Sequence, residues 1–162
     1  MLRQLKLPTQ TIGLGILLLI GLFSIQGVSI YYAKLQTDHK ETVSLLLEEF
    51  ESAIGYRGFI HHFKNAVLRP DKPSYIDLAN ERSARAQEIV ALLALEAKAL
   101  ELTNTEEALA ETHATIAEYK DNLVKVAEGH ASGTGILEID QLVKVDDLPA
   151  TLELDAFRTA AY

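Results

Sequence analysis

Ile12-Gly-Leu-Gly-Ile-Leu-Leu-Leu-Ile-Gly-Leu-Phe23 runs on through Ser24-Ile-Gln-Gly-Val-Ser-Ile30, and from Leu7 to Ala33 no residue is charged. A helix needs about 20 mainly apolar residues to cross the hydrocarbon core of a bilayer, and this stretch supplies them. Arg3 and Lys6 precede the run, so the positive-inside rule puts the N-terminus in the cytoplasm. Tyr31 and Tyr32 close it, where amphipathic rings favour the membrane interface. A cleaved signal peptide has a shorter apolar region ending in a small-x-small site. Ser24-Ile-Gln26 is not such a site, so an uncleaved anchor is expected. The expected organisation is a cytoplasmic segment over 1–8, a transmembrane helix over 9–32 and an extracytoplasmic domain over 33–162.

Outside the membrane run the composition narrows the function. The chain has 162 residues and no cysteine, which excludes disulfides, thiol catalysis and zinc–thiolate sites. Beyond Ala33, 23 Asp and Glu face 13 Lys and Arg, a formal charge of −10. Nucleic-acid binding needs a basic face to neutralise phosphates, so it is not expected. A broad basic surface held against anionic lipid is excluded by the same balance. An acidic, solvated surface on a single domain of about 130 residues is the plain reading.

After the membrane run the apolar spacing turns helical. A first helix is predicted from about Lys34 to Arg69, with Leu46, Phe50, Ala53, Ile54, Ile60, Val67 and Leu68 on one stripe. Pro70 and Pro73 force a turn. A second helix follows from about Ser74, read as its N-cap, to Leu100, with Ile76, Ala79, Ala86, Ile89, Val90, Leu93, Ala97 and Leu100 on its stripe. Thr103-Asn-Thr-Glu106 offers a capping box for a third, whose Leu109, Ile116, Tyr119, Leu123 and Val126 share a face. Gly129, Gly133 and Gly135 are read as breaking it. A short helix from about Leu137 to Val145 and a last one from Ala150 follow. The expected fold is all-α: a transmembrane helix continuing into an antiparallel up-down bundle whose fourth helix is incomplete. The front end of a longer protein is expected.

The stretch Ile54-Gly-Tyr-Arg-Gly-Phe-Ile-His-His-Phe-Lys-Asn-Ala-Val-Leu-Arg69 resembles a motif of bacterial transmembrane sensory proteins. It is similar to the extracytoplasmic sensing region of certain methyl-accepting chemotaxis proteins. Similar regions stand ahead of diguanylate cyclase, nucleotide cyclase and histidine kinase output domains. Ile139-Asp-Gln-Leu-Val-Lys-Val-Asp-Asp-Leu-Pro-Ala150 resembles a second motif of the same region, in the same order. The resemblance implies a helical sensor in the bacterial inner membrane, set between two transmembrane helices and followed by a cytoplasmic output domain. Neither the second membrane helix nor an output domain occurs within these residues.

The informative chemistry is a polar cluster on an apolar stripe. Arg57, His61, Lys64 and Asn65 are three or four residues apart, and so share a face if the first helix is continuous. Folding about the Pro70–Pro73 turn brings Arg82 of the second helix level with His61. Three cations and an imidazole at one level could hold a small anion such as a carboxylate. The same spacing also fits a structural polar network, or side chains that simply reach water along their stems. Adjacent His61 and His62 point about 100° apart on a helix and cannot share one metal. No His-x-x-x-His or Glu-x-x-His pair occurs, so neither a zinc nor a di-iron bundle site is expected, nor any cofactor. With no nucleophile elbow and no phosphate-cradling glycine loop, the chain is expected not to be an enzyme. Asp146-Asp147 before Pro149 reads as a helix cap.

The expected function is a signal-receiving module, of a chemoreceptor above all, that detects a small extracytoplasmic ligand and transmits through its membrane helix. A weak homodimer through the first exported helix is expected to cover apolar surface. The rival, of a different class, is a membrane-anchored adaptor that binds a protein partner in the groove left by the missing helix.

Overall fold

The computed structural model describes residues 7–103 and 105–162, with side chains from residue 11 onward apart from those of 106 and 108. Six helices account for nearly all of it, and no strand occurs among the described residues: α1 Leu7–Ile54, α2 Phe59–Leu68, α3 Ser74–Ala99, α4 Thr105–Ser132, α5 Ile136–Leu142 and α6 Leu148–Ala161. The chain divides into two compact units, up to Asp38 and from His39 on. Arg3 and Lys6 lie outside the described residues.

In the first unit the large side chains from Ile12 to Tyr32 are all exposed. A helix apolar on every side is at home in a membrane or a large core, and nothing in this unit buries it. Its length and composition are those of a helix able to cross a membrane. Two hydroxyls of this unit bond back to the helix, Ser24 Oγ to the Ile20 carbonyl at 2.8 Å and Thr37 Oγ1 to that of Ala33 at 2.9 Å. Satisfying polar groups internally is what hydrocarbon requires.

In the second unit the helix expected from Lys34 to Arg69 is split. It stops at Ile54 and α2 restarts at Phe59. Gly55 and Gly58 bracket the break. A Cβ on Gly58 would sit 2.4 Å from the Ala53 carbonyl oxygen, a distance only glycine permits. Between them Arg57 takes φ +63°, the left-handed region that costs a non-glycine residue roughly 1 kcal/mol or more. The break shifts the helical phase. Phe50, Ala53 and Val67 are buried as expected, but Leu68 is exposed, and Phe59, Phe63 and Ala66 go inside instead.

The Pro70–Pro73 turn forms as expected, with Lys72 N–H donating to the Arg69 carbonyl at 3.0 Å. Ser74 is not the cap: Pro73 holds that position and offers no side-chain acceptor. The capping box of α4 lies partly outside the described residues; Thr105 Oγ1 donates to the Leu102 carbonyl at 3.1 Å. Gly129 does not end α4. It lies buried within it, where its missing side chain makes room for Ile139, whose Cγ1 would be 2.8 Å from a Cβ. Gly133, at φ +76°, is the residue that terminates the helix. α5 and α6 each begin one or two residues earlier than expected.

α3 packs against α2 and α4, and α4 against α6, with α5 touching α2 and α4. The last turns of α1 join through Val43, Leu47 and Phe50, all buried in the common core with Ile89, Leu93, Leu123, Val126 and Phe157. Surface ion pairs run alongside: Glu49 with Arg85 at 2.5 Å, and Glu51 with Arg158. Exposed pairs of this kind add at most about 1 kcal/mol each, so the packed core carries the fold.

Gly58→Ala is expected to lower the melting temperature by several degrees, because its Cβ meets backbone rather than a movable side chain. Gly135→Ala, with open space at the same atom, is the control and should move it by a degree or so. Thermal unfolding followed by circular dichroism measures both.

Candidate functional site

Two places in the second unit bring polar groups together beside buried or part-buried side chains. The first is the sequence-expected cluster. Arg57 lies in the break, outside any helix and exposed, its guanidinium 5.9 Å from the Tyr56 ring centroid. It therefore does not share a helical face with the others. His61 and Asn65 are one turn apart on α2 and bond to each other. Asn65 Nδ2 donates to the His61 carbonyl at 2.8 Å and lies 3.0 Å from His61 Nε2. Lys64 is exposed and borders a different hollow, with Phe63, Tyr119 and the segment from Val143 to Val145. Arg82 is exposed on α3.

His62 is the member that sequence spacing missed. Its ring stacks on Tyr75 of α3 at 6.0 Å and 30°. Its Nδ1 is buried with no hydrogen-bond partner among the described residues. Burial pushes the imidazole below its ordinary pKa, and the His61 and Arg82 charges push the same way against the Arg57 backbone and Glu81. Arg82 thus acts on His62, the neighbour of the histidine it was expected to reach. The signal available in the sequence was Tyr75, an aromatic at the second residue of α3 and across the proline turn from the His pair.

The second place is a cavity of about 100 Å³ where the end of α1, α2, α4 and α6 meet. Phe50, Ile54, Phe59, Ile60, Ile116 and Leu154 form its apolar wall. Tyr119 and Asp147 supply its polar edge, the Tyr119 hydroxyl donating to Asp147 Oδ2 at 3.1 Å. Phe59 and Phe63 meet the Tyr119 ring edge-on at 6.0 and 5.0 Å, an arrangement that fixes its plane. Burial first, then the Asp147 charge and hydrogen bond, push the Tyr119 phenol up to about 12. Asp147 does occupy the N-cap position of α6, with Pro149 just inside. Its carboxylate is spent on Tyr119 rather than on the helix. Asp146 Oδ1 accepts the Leu148 N–H instead, at 3.3 Å.

Among the described residues no three His, Asp or Glu side chains are placed to hold a metal ion. Chemically, one place offers exposed cations near an under-satisfied imidazole, the other an apolar hollow edged by a carboxylate.

Tyr119 favours its protonated form in the folded state. Its contribution to stability is full below about pH 10, the ordinary tyrosine value, and is lost as pH rises toward about 12. In an ultraviolet difference titration one of the six tyrosines should ionise after the rest. Asp147→Asn should bring it part of the way back, since burial remains. Six phenols titrating together would contradict the hydrogen-bonded geometry.

No family model, curated protein or solved structure matches this chain.

Proposed function

We propose that the chain is the signal-receiving module of a bacterial transmembrane receptor of the chemoreceptor kind. One observation carries the reading. The segment Ile54–Arg69, which resembles the sensory motif, contributes residues to both candidate places: Arg57, His61 and His62 to one, Ile54, Phe59 and Ile60 to the other. A motif whose residues supply both an exposed cationic cluster around a part-buried histidine pair and one wall of a cavity fits a role in ligand detection better than one in packing alone. The second motif adds Asp147 and Ala150 to the same cavity.

In this reading the helices of the second unit form an antiparallel up-down bundle with an incomplete fourth member. The N-terminus is cytoplasmic and the bundle extracytoplasmic. Arg57 and Arg82, beside His62, attract a small anion, with His61 and Asn65 next to them; Lys64, on a different hollow, is not among them. Between Gly27 and Gly55 the sequence has neither glycine nor proline, which supports transmission from the bundle to the membrane by small helix shifts. Leu45, at 61% exposure, supports pairing of two copies through this helix. The adaptor reading draws on a different observation: Leu137, Leu148 and Leu152 of α5 and α6 are each at least 60% exposed, as a partner-binding surface would be.

A reporter active only outside the cytoplasm, fused after Tyr162, should be active; activity only of a cytoplasmic reporter would reverse the orientation.

For the anion, thermal-shift measurements on the full chain in detergent with small carboxylates should show stabilisation. Arg57→Ala or Arg82→Ala should remove that stabilisation and leave the ligand-free melting temperature within about a degree. A fall of several degrees in the ligand-free protein would mark the cluster as structural and defeat the anion reading.

A further inference from the structure

The two candidate places have opposite electrostatic character, and the apolar cavity does not fit an anion. We propose that the cavity between the end of α1, α2, α4 and α6 is a binding site for a small organic ammonium ion, a primary amine with a short apolar body. The inference goes beyond the sensor reading and stands without it, since it concerns residues outside the cationic cluster and requires no signalling output.

Size sets the first limit. The hollow measures about 100 Å³, and an apolar cavity of about 150 Å³ is enough for benzene. The occupant therefore has a smaller body, roughly four or five heavy atoms. The walls set the second limit. Phe50, Ile54, Phe59, Ile60 and Leu154 offer hydrocarbon and no polar partner, so the inner part of the ligand is apolar.

Charge sets the third. Asp147 is the one ionisable carboxylate on the lining, and no Lys, Arg or His borders the cavity among its described residues. An anion would meet a like charge with no cation to offset it. An ammonium would gain a charge-assisted hydrogen bond to the same group. Tyr119 donates to Asp147 Oδ2 and uses one of the carboxylate's roughly four acceptor positions. Because burial and Asp147 keep the phenol protonated far into the alkaline range, that hydrogen bond holds the carboxylate in place at any physiological pH.

Two further features favour a cation. Asp147 is exposed, whereas Phe50 and Phe59 deep in the wall are buried. The ammonium would thus rest at the mouth, partly hydrated, and avoid the cost of full desolvation. The hydroxyls of Thr115 and Thr151 border the same cavity, and hydroxyl oxygens can accept the remaining N–H groups. The domain's formal charge of −10 beyond Ala33 raises the local concentration of cations.

The test uses the full chain carrying Arg57→Ala and Arg82→Ala, which remove the cationic cluster's hold on carboxylates, in detergent micelles with three ligands of similar length: n-butylammonium, n-butanol and butyrate. Thermal shift and calorimetric titration should show binding of n-butylammonium, weaker binding of n-butanol and none of butyrate. Asp147→Asn, which keeps the side chain's shape and leaves the Asp146 cap of α6 in place, should weaken n-butylammonium at least about tenfold, the loss of one charge-assisted hydrogen bond. It should leave n-butanol unchanged. Thr115→Leu, which fills the hollow, should abolish both, and keeps the test decisive if the Asp147 variant fails to fold. Equal binding of n-butanol and n-butylammonium would overturn the proposal, as would preferred binding of butyrate. Absence of binding by all three would show the hollow to be a packing gap and would equally overturn it.

Discussion

Gly58 lies so close to the Ala53 carbonyl that no side chain fits between them, and most of the domain's arrangement depends on that contact. It lets the chain leave α1 at Ile54 and re-enter a helix at Phe59 within one short turn. An uninterrupted helix advances 100° per residue and would carry Phe59 and Phe63 round with the phase set by Phe50. The break resets that phase, so Phe50 and Ala53 before it and Phe59, Phe63 and Val67 after it all reach one core. The strained backbone at Arg57 is part of the same device. Its cost, of order 1 kcal/mol, is small beside the burial of two phenylalanines at roughly 2 kcal/mol or more each.

That reset also explains what could and could not be seen in the sequence. Apolar spacing located α3 almost to the residue and found the start and the buried face of α4, because each is a long helix with a single phase from end to end. The Ala79–Ala97 stripe is buried as the period requires, and so is the Leu109–Val126 stripe apart from Tyr119, which is half-buried. The same spacing, extended across Gly55 and Gly58, produced a false continuity. Isolated glycines are tolerated in helices at about 1 kcal/mol, so two of them three apart did not outweigh an apolar pattern on both sides. Gly129 misled in the opposite direction: read as a breaker, it is a glycine that lets Ile139 approach α4. Only a tertiary contact distinguishes the two cases.

The site residues divide in the same way. His61 and Asn65 are one helical turn apart on α2, so their pairing was legible from spacing alone. Tyr119 and Asp147 are 28 residues apart and had separate local explanations, one as a core stripe member and the other as a helix cap. Tyr119 is half-buried on that stripe, and Asp147 holds the cap position while its carboxylate goes to Tyr119; neither explanation pointed to the other. His62 was passed over because its neighbour matched the expected face. Its partner, Tyr75, lies beyond a proline turn on another helix.

The cavity's size bounds what a ligand there could do. An occupant of roughly five heavy atoms, at a ceiling of about 1.5 kcal/mol per atom, supplies no more than about 7.5 kcal/mol. Shifting a two-state equilibrium from one side to the other requires about 5.5 kcal/mol of differential affinity. A small ligand can therefore act as a switch only if nearly all its binding energy distinguishes the two states. The wall makes that demand physically reasonable, because it takes Ile54 from the end of α1 and Ile60 from the start of α2, on either side of the break. A body wedged between them binds well only at one relative setting of the two helices. Movement at Gly55–Gly58 would change the cavity before it changed the core. On the proposed reading, the constraint that organises the fold is thus also the place where binding and conformation are coupled.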